Sequence, residues 1–138
     1  MTRYVIDPAT LLRIATEDLA PGAHHQLVAP GFIRSEALAV LLDAVRCGEL
    51  SETQALALHE RMTAVKLRLL ADRVSRRTAW TIARERPSTS LRDAEYVAIT
   101  QLQADALVTT DPTLVAVADG LVVLAPFSEL SSPSPHAS

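Results

Sequence analysis

Two apolar runs of this chain end in the same dipeptide. The first reads Tyr4-Val5-Ile6-Asp7-Pro8 and the second Leu107-Val108-Thr109-Thr110-Asp111-Pro112. Asp is a good helix N-cap and Pro is tolerated at the first helical position, so each pair reads as a helix start. The same pairs also read as chemistry. Carboxylates at the ends of two parallel, neighbouring strands project from one rim of a sheet, where ligands bind, and together they can hold a cation.

Two further acids are oddly placed. Glu36 has Ile33 before it and Val40 after it on its side of a helix, at the edge of an apolar face where a charge needs a partner. Asp93 falls in the first turn of a later helix, where the dipole favours a carboxylate, with Tyr96 and Val97 expected to pack inward. Singly, each acid has a plain explanation: Asp7 and Asp111 cap helices, Asp93 complements a dipole, and Glu36 pairs with an Arg.

The elements that position these acids are short and alternate in type. Residues 3–6, 26–29, 106–109 and 121–124 read as strands, and 66–70 is ambiguous between helix and extended chain. Helices are expected over 10–17, 32–46, 51–64, 72–86, 90–103 and 112–118, with Ser51 and Gln54 forming a capping box. Uniformly apolar strands alternating with helices indicate an α/β fold with a largely parallel sheet of four or five strands. Residues 1–130 are expected to form one domain, with a Ser/Pro-rich tail over 131–138.

The order of these features resembles a PIN domain: a strand-end Asp, a helical Glu in Ser35-Glu36-Ala37-Leu38, Asp93-Ala94-Glu95-Tyr96 on a later helix, then Thr109-Thr110-Asp111. More narrowly, it is similar to the single-domain toxin ribonucleases of VapBC toxin–antitoxin pairs, from Tyr4 to about Leu130. The resemblance implies a three-layer α/β/α fold in which Asp7, Glu36, Asp93 and Asp111 converge on Mg²⁺ or Mn²⁺ and RNA is hydrolysed by an activated water, leaving 5′-phosphate and 3′-hydroxyl ends. Asp7, Glu36 and Asp93 would be direct ligands and Asp111 one acting through water. It also implies a small antitoxin partner and a homodimer. Such acids need the ion: two carboxylates ~4 Å apart repel by about 4 kcal/mol at an effective dielectric near 20. Where the family often has Ser or Asn two residues after the first acid, this chain has Ala9; Thr109 or Thr110 is placed to supply a hydroxyl near the last acid. Ala9 keeps a second reading open, a PIN fold that grips RNA or an antitoxin without cutting.

Charge is distributed unevenly. The chain of 138 residues has a net charge of −3, yet residues 61–92 carry +7 and the remainder −10. Arg76, Arg77 and Arg92 are the expected RNA contacts, since phosphate beside an acidic centre needs basic neighbours. Trp80, amid Ala79, Ile82 and Ala83, is expected in the core rather than stacked on a base. The only cysteine, Cys47, excludes an internal disulfide and suits the cytoplasm. No apolar run approaches the ~20 residues of a membrane span, and no signal peptide is visible. A haloacid-dehalogenase-type phosphatase would want Asp at position 9, and a receiver domain a Lys after a late strand; the only lysine is Lys66.

Overall fold

The computed structural model describes residues 1–70 and 72–131. Strand β1 spans Thr2–Ile6, and helix α1 follows over Pro8–Glu17. Strand β2 (His25–Pro30) leads into α2 (Ile33–Arg46) and α3 (Glu52–Ala64). The ambiguous segment resolves as a three-residue strand, β3 (Arg68–Leu70), before α4 (Arg73–Glu85) and α5 (Leu91–Gln103). Strand β4 (Ala106–Val108), α6 (Pro112–Ala118) and a 3-10 helix over Phe127–Ser131 complete the described chain. Ser131, expected in the tail, closes that 3-10 helix; residues 132–138 lie outside the described residues.

The four strands form one sheet in the order β3-β2-β1-β4, and every pair is parallel. Tyr4 stands opposite Leu27 on one side and Ala106 on the other, so β1 is central. Side chains alternate between faces at period two. Tyr4, Ile6, Leu27, Ala29, Ala106 and Val108 point into a core with Leu11 and Ile14 of α1, Ile33 of α2 and Met62 of α3. Val5, Val28 and Leu107 point the other way, into a core with Ile82 of α4, Tyr96 and Val97 of α5 and Leu114 of α6. The result is an α/β/α sandwich of three layers: the alternating pattern predicts the α/β class with its parallel sheet, and the resemblance implies the three layers.

The expected fifth strand over 121–124 does not form. Only Leu124 makes an isolated bridge to Leu107, with Leu107 N–H donating to the Val123 carbonyl and Ala125 N–H to the Leu107 carbonyl. Val123 is 65% exposed, so this segment offers no buried face to hold a longer register. It seals the outer edge of β4 all the same. No helix among the described residues is long and apolar enough to cross a membrane.

Local chemistry sets the helix starts. The Ser51 hydroxyl accepts from Gln54 N–H while the Gln54 side chain accepts from Ser51 N–H, giving the expected capping box on α3. Asp72 caps α4 and Ser90 caps α5. Asp7 accepts from Thr10 N–H and Asp111 from Thr113 N–H, each followed by Pro. Both Asp-Pro pairs are therefore helix starts. Because all strands are parallel, α1, α2, α4 and α6 all begin near the sheet's carboxyl rim.

Candidate functional site

The strand order reverses at β1: the chain moves outward from β1 to β3, then returns to place β4 on β1's other side. In open α/β sheets, the crevice at the strands' carboxyl ends beside such a reversal is where ligands bind. Asp7 follows β1 and Asp111 follows β4, so they flank it. Glu36 reaches the crevice from α2 in one layer and Asp93 from the first turn of α5 in the other. Asp7, Glu36, Asp93 and Asp111 all line one cleft, together with Ala9, Val40, Ser90, Arg92 and Tyr96. A larger cavity lies between α1, β2 and the turn after α3, but Asp18 is the only acid lining it.

Asp7 is 3% exposed and held at both oxygens. Its Oδ1 accepts from Thr10 N–H at 2.9 Å and from the Thr10 hydroxyl at 2.5 Å, and its Oδ2 accepts from the Thr109 hydroxyl at 2.5 Å. A carboxylate offers about four acceptor sites, so these three bonds leave one on Oδ2. The Thr109 oxygen also accepts from Asp111 N–H at 3.0 Å. One hydroxyl thus ties the carboxylate after β1 to the backbone after β4. Of Thr109 and Thr110, the two hydroxyls that the sequence places near the last acid, Thr109 is the one in this role. Thr10, one residue past the position where the family often has Ser or Asn and not expected to replace it, also bonds Asp7 through its hydroxyl.

Glu36 is held from two sides. Tyr96, 1% exposed, donates its hydroxyl to Oε1 at 3.0 Å, and Arg92 Nε lies 2.7 Å from Oε2. Phe32 meets the Tyr96 ring edge-on at 5.9 Å and fixes it. Tyr96 is thus a site residue as well as the core residue that its helix position suggests. Burial pushes the Glu36 carboxyl above its usual range, Asp93 adds to the rise, and Tyr96 and Arg92 oppose it. Burial likewise raises the Asp93 carboxyl, with Asp111 and Asp7 reinforcing the rise and Ser90 and Arg92 opposing it. The Tyr96 hydroxyl is driven strongly upward, chiefly by burial and then by Glu36, and so stays a donor. The acids feel one another's fields, which is the electrostatic signature of convergence.

These residues suit a hard divalent cation. The donor set is all carboxylate oxygen, the repelling charges gain most from a dication, and Asp7 keeps an acceptor site. As the side chains stand, no group of three or more His, Cys, Asp or Glu residues among those described is arranged to hold a metal ion. Asp7, Glu36 and Asp111 are instead engaged by protein donors, with the Arg92 guanidinium on Glu36.

Of the expected RNA contacts, only Arg92 lines the cleft. Arg92, expected as an RNA contact, is ion-paired to Glu36 with two-thirds of its side chain exposed. Bonds from Ser75 hold the Asp72 carboxyl below its usual range, with Arg76 adding to the fall, while burial raises Glu95 against the pull of Arg76. Glu95 does not line the cleft. Arg77 is exposed on α4. Trp80 is 60% exposed, against the expectation of a core position.

No family model matches the chain, and no curated protein does. Among solved structures, the chain is similar to the crystal structure of PAE2754 from Pyrobaculum aerophilum, at a TM-score of 0.71 and 23% sequence identity, over 94% of this chain and 92% of that one. At that identity the likeness concerns the fold.

Proposed function

We propose that this chain is a divalent-metal-dependent endoribonuclease. The observation that carries the reading is the convergence of Asp7, Glu36, Asp93 and Asp111, from β1, α2, α5 and the start of α6, on one cleft at the carboxyl rim. Asp7, Glu36 and Asp93 would hold Mg²⁺ or Mn²⁺, with Asp111 beside them. When bound, the ion supplies a water acidic enough to attack phosphorus and steadies the leaving oxygen. The chain's own part is placement. Thr10 and Thr109 fix the Asp7 carboxylate, Tyr96 fixes Glu36, and Ser90 orients the first turn carrying Asp93. Arg92, exposed at the cleft mouth, can exchange Glu36 for an incoming phosphate.

The toxin part of this reading, with a small antitoxin partner, a homodimer and a cytoplasmic setting, rests on the sequence resemblance. Leu38, Leu42 and Leu56, each 43–54% exposed on α2 and α3, support a protein contact there. A second reading, a module that binds RNA or an antitoxin without cutting, draws support from the Arg92–Glu36 pair, which already gives Glu36 a cation. One assay separates the two. Purified chain is incubated with RNA in Mg²⁺ or EDTA, alongside Asp7→Asn, and transcript ends are mapped after induction in cells. Cleavage that needs Mg²⁺ and vanishes in Asp7→Asn supports the nuclease; intact RNA under all conditions refutes it.

A further inference from the structure

Helix α4 carries basic residues in a pattern the acidic cleft does not use. At 3.6 residues per turn, Arg73, Arg77, Trp80 and Arg84 fall on one stripe. Ser75, Ala79 and Ile82, the buried residues of this helix, lie on the opposite side against the core. All four stripe residues are exposed. Trp80 has no aromatic or cation–π partner among the described residues. The ion pairs there are Arg13–Glu17 and Arg92–Glu36, so Arg73, Arg77 and Arg84 are not neutralised by a paired acid. Arg76, by contrast, sits beside Asp72 and Glu95 and belongs to the α5 side. The stripe runs about 16 Å along the helix, starting near the carboxyl rim because β3 is parallel to β1 and β2.

We propose that this stripe is a platform for single-stranded RNA, with one base stacked on Trp80 and backbone phosphates on Arg73, Arg77 and Arg84. A flat ring standing in water between cations matches the way single strands are held: bases on aromatic faces, phosphates on basic side chains. Bases within a duplex are already stacked and cannot reach the ring. Charge agrees, since the segment around α4 is +7 in a chain of net charge −3. The choice of RNA over DNA rests on the ribonuclease reading; the surface itself does not require cleavage.

The test uses the full chain in EDTA, so that binding is read without cutting. A labelled single-stranded oligoribonucleotide of about 12 nucleotides is titrated by fluorescence anisotropy. Emission from Trp80, the chain's one tryptophan, is followed in parallel. Binding quenches that emission. Trp80→Ala weakens affinity roughly 5- to 100-fold with an unchanged melting temperature, and Trp80→Phe recovers most of the loss. Arg77→Ala reduces the slope of log K against log salt by about 0.7. The proposal is overturned if Trp80 emission does not change, if Trp80→Ala binds as well as the parent, or if duplex RNA or poly-glutamate quenches equally. Absence of cleavage in Mg²⁺ would sink the nuclease reading alone. Cleavage with an unquenched Trp80 would sink the platform alone.

Discussion

Two carboxylates of the cleft, Asp7 and Glu36, accept from hydroxyls, and these make the sharpest predictions. Thr109 links Asp7 to the backbone of Asp111. Removing such a support costs a metal site roughly 10- to 100-fold in affinity. Thr109→Val is expected to weaken Mg²⁺ binding by that amount in calorimetry, and Thr109→Ser to restore it; equal affinities in all three would show that the tether is idle. Asp93 gives a pH signature. Burial and its acidic neighbours raise its folded pKa, as they do for Glu36. The folded state then holds these protons more tightly than the unfolded one. Without metal, stability therefore falls as pH rises from the ordinary carboxyl range through the raised values, and stays reduced above them. In EDTA at neutral pH, Asp93→Asn should melt higher than the parent, with the difference shrinking on acidification. A difference independent of pH would contradict this. The four acids are legible in the sequence because each stands at a strand end or a helix position with a recognisable context. The hydroxyls are less so: Tyr96 sits three residues after Asp93, on the side that packs inward, and nothing local says its oxygen meets Glu36, 60 residues away in sequence.

At the scale of elements, most boundaries follow from caps and breakers, and the failures have physical causes. The apolar neighbours of Trp80 point to a core position, yet Ala79 is about 100° and Ile82 about 200° from it around the helix. Phase, not composition, decides the face. The segment 121–124 is apolar enough for a strand, but it lies outside β4 with Val123 and Leu124 still open to water. Arg86 shows what neither propensity nor periodicity reveals. Its guanidinium donates to the Val117 carbonyl at 2.9 Å and the Asp119 carbonyl at 2.8 Å, closing the C-terminus of α6. Arg86→Ala should cost about 1–3 kcal/mol in urea unfolding. Because α6 begins at Asp111, the same change should also loosen the cleft. Unchanged stability would mean that water serves those carbonyls equally well.

For the molecule as a whole, the central question is how a sheet tolerates repelling charges at its rim. Val5, Ile6 and Leu107 at 0% exposure anchor β1 and β4 in cores on both faces, and that packing holds the acids where they would otherwise separate. A ligand that binds only the folded state returns stability: at 100 times its dissociation constant, about 2.7 kcal/mol. Mg²⁺ should therefore raise the melting temperature of the parent and not of Asp7→Asn; an equal rise in both would place the ion elsewhere. Leu107→Ala, at the buried junction of β4 with β1, should cost about 2–5 kcal/mol by the same unfolding assay. The α/β class with a parallel sheet is readable from alternation alone. The reversal of strand order at β1 is not, because it depends on pairing between residues about 100 positions apart.

Asp7 and Asp111 each serve as a helix cap as well as a cleft acid, and Asn caps a helix about as well as Asp. On the nuclease reading, a single such exchange would remove a cleft charge while keeping the cap. A relative carrying such an exchange could then keep the fold without the activity, and its fold alone would not betray the loss. Judging any member of such a lineage as active therefore requires the identity of the residue at each cap.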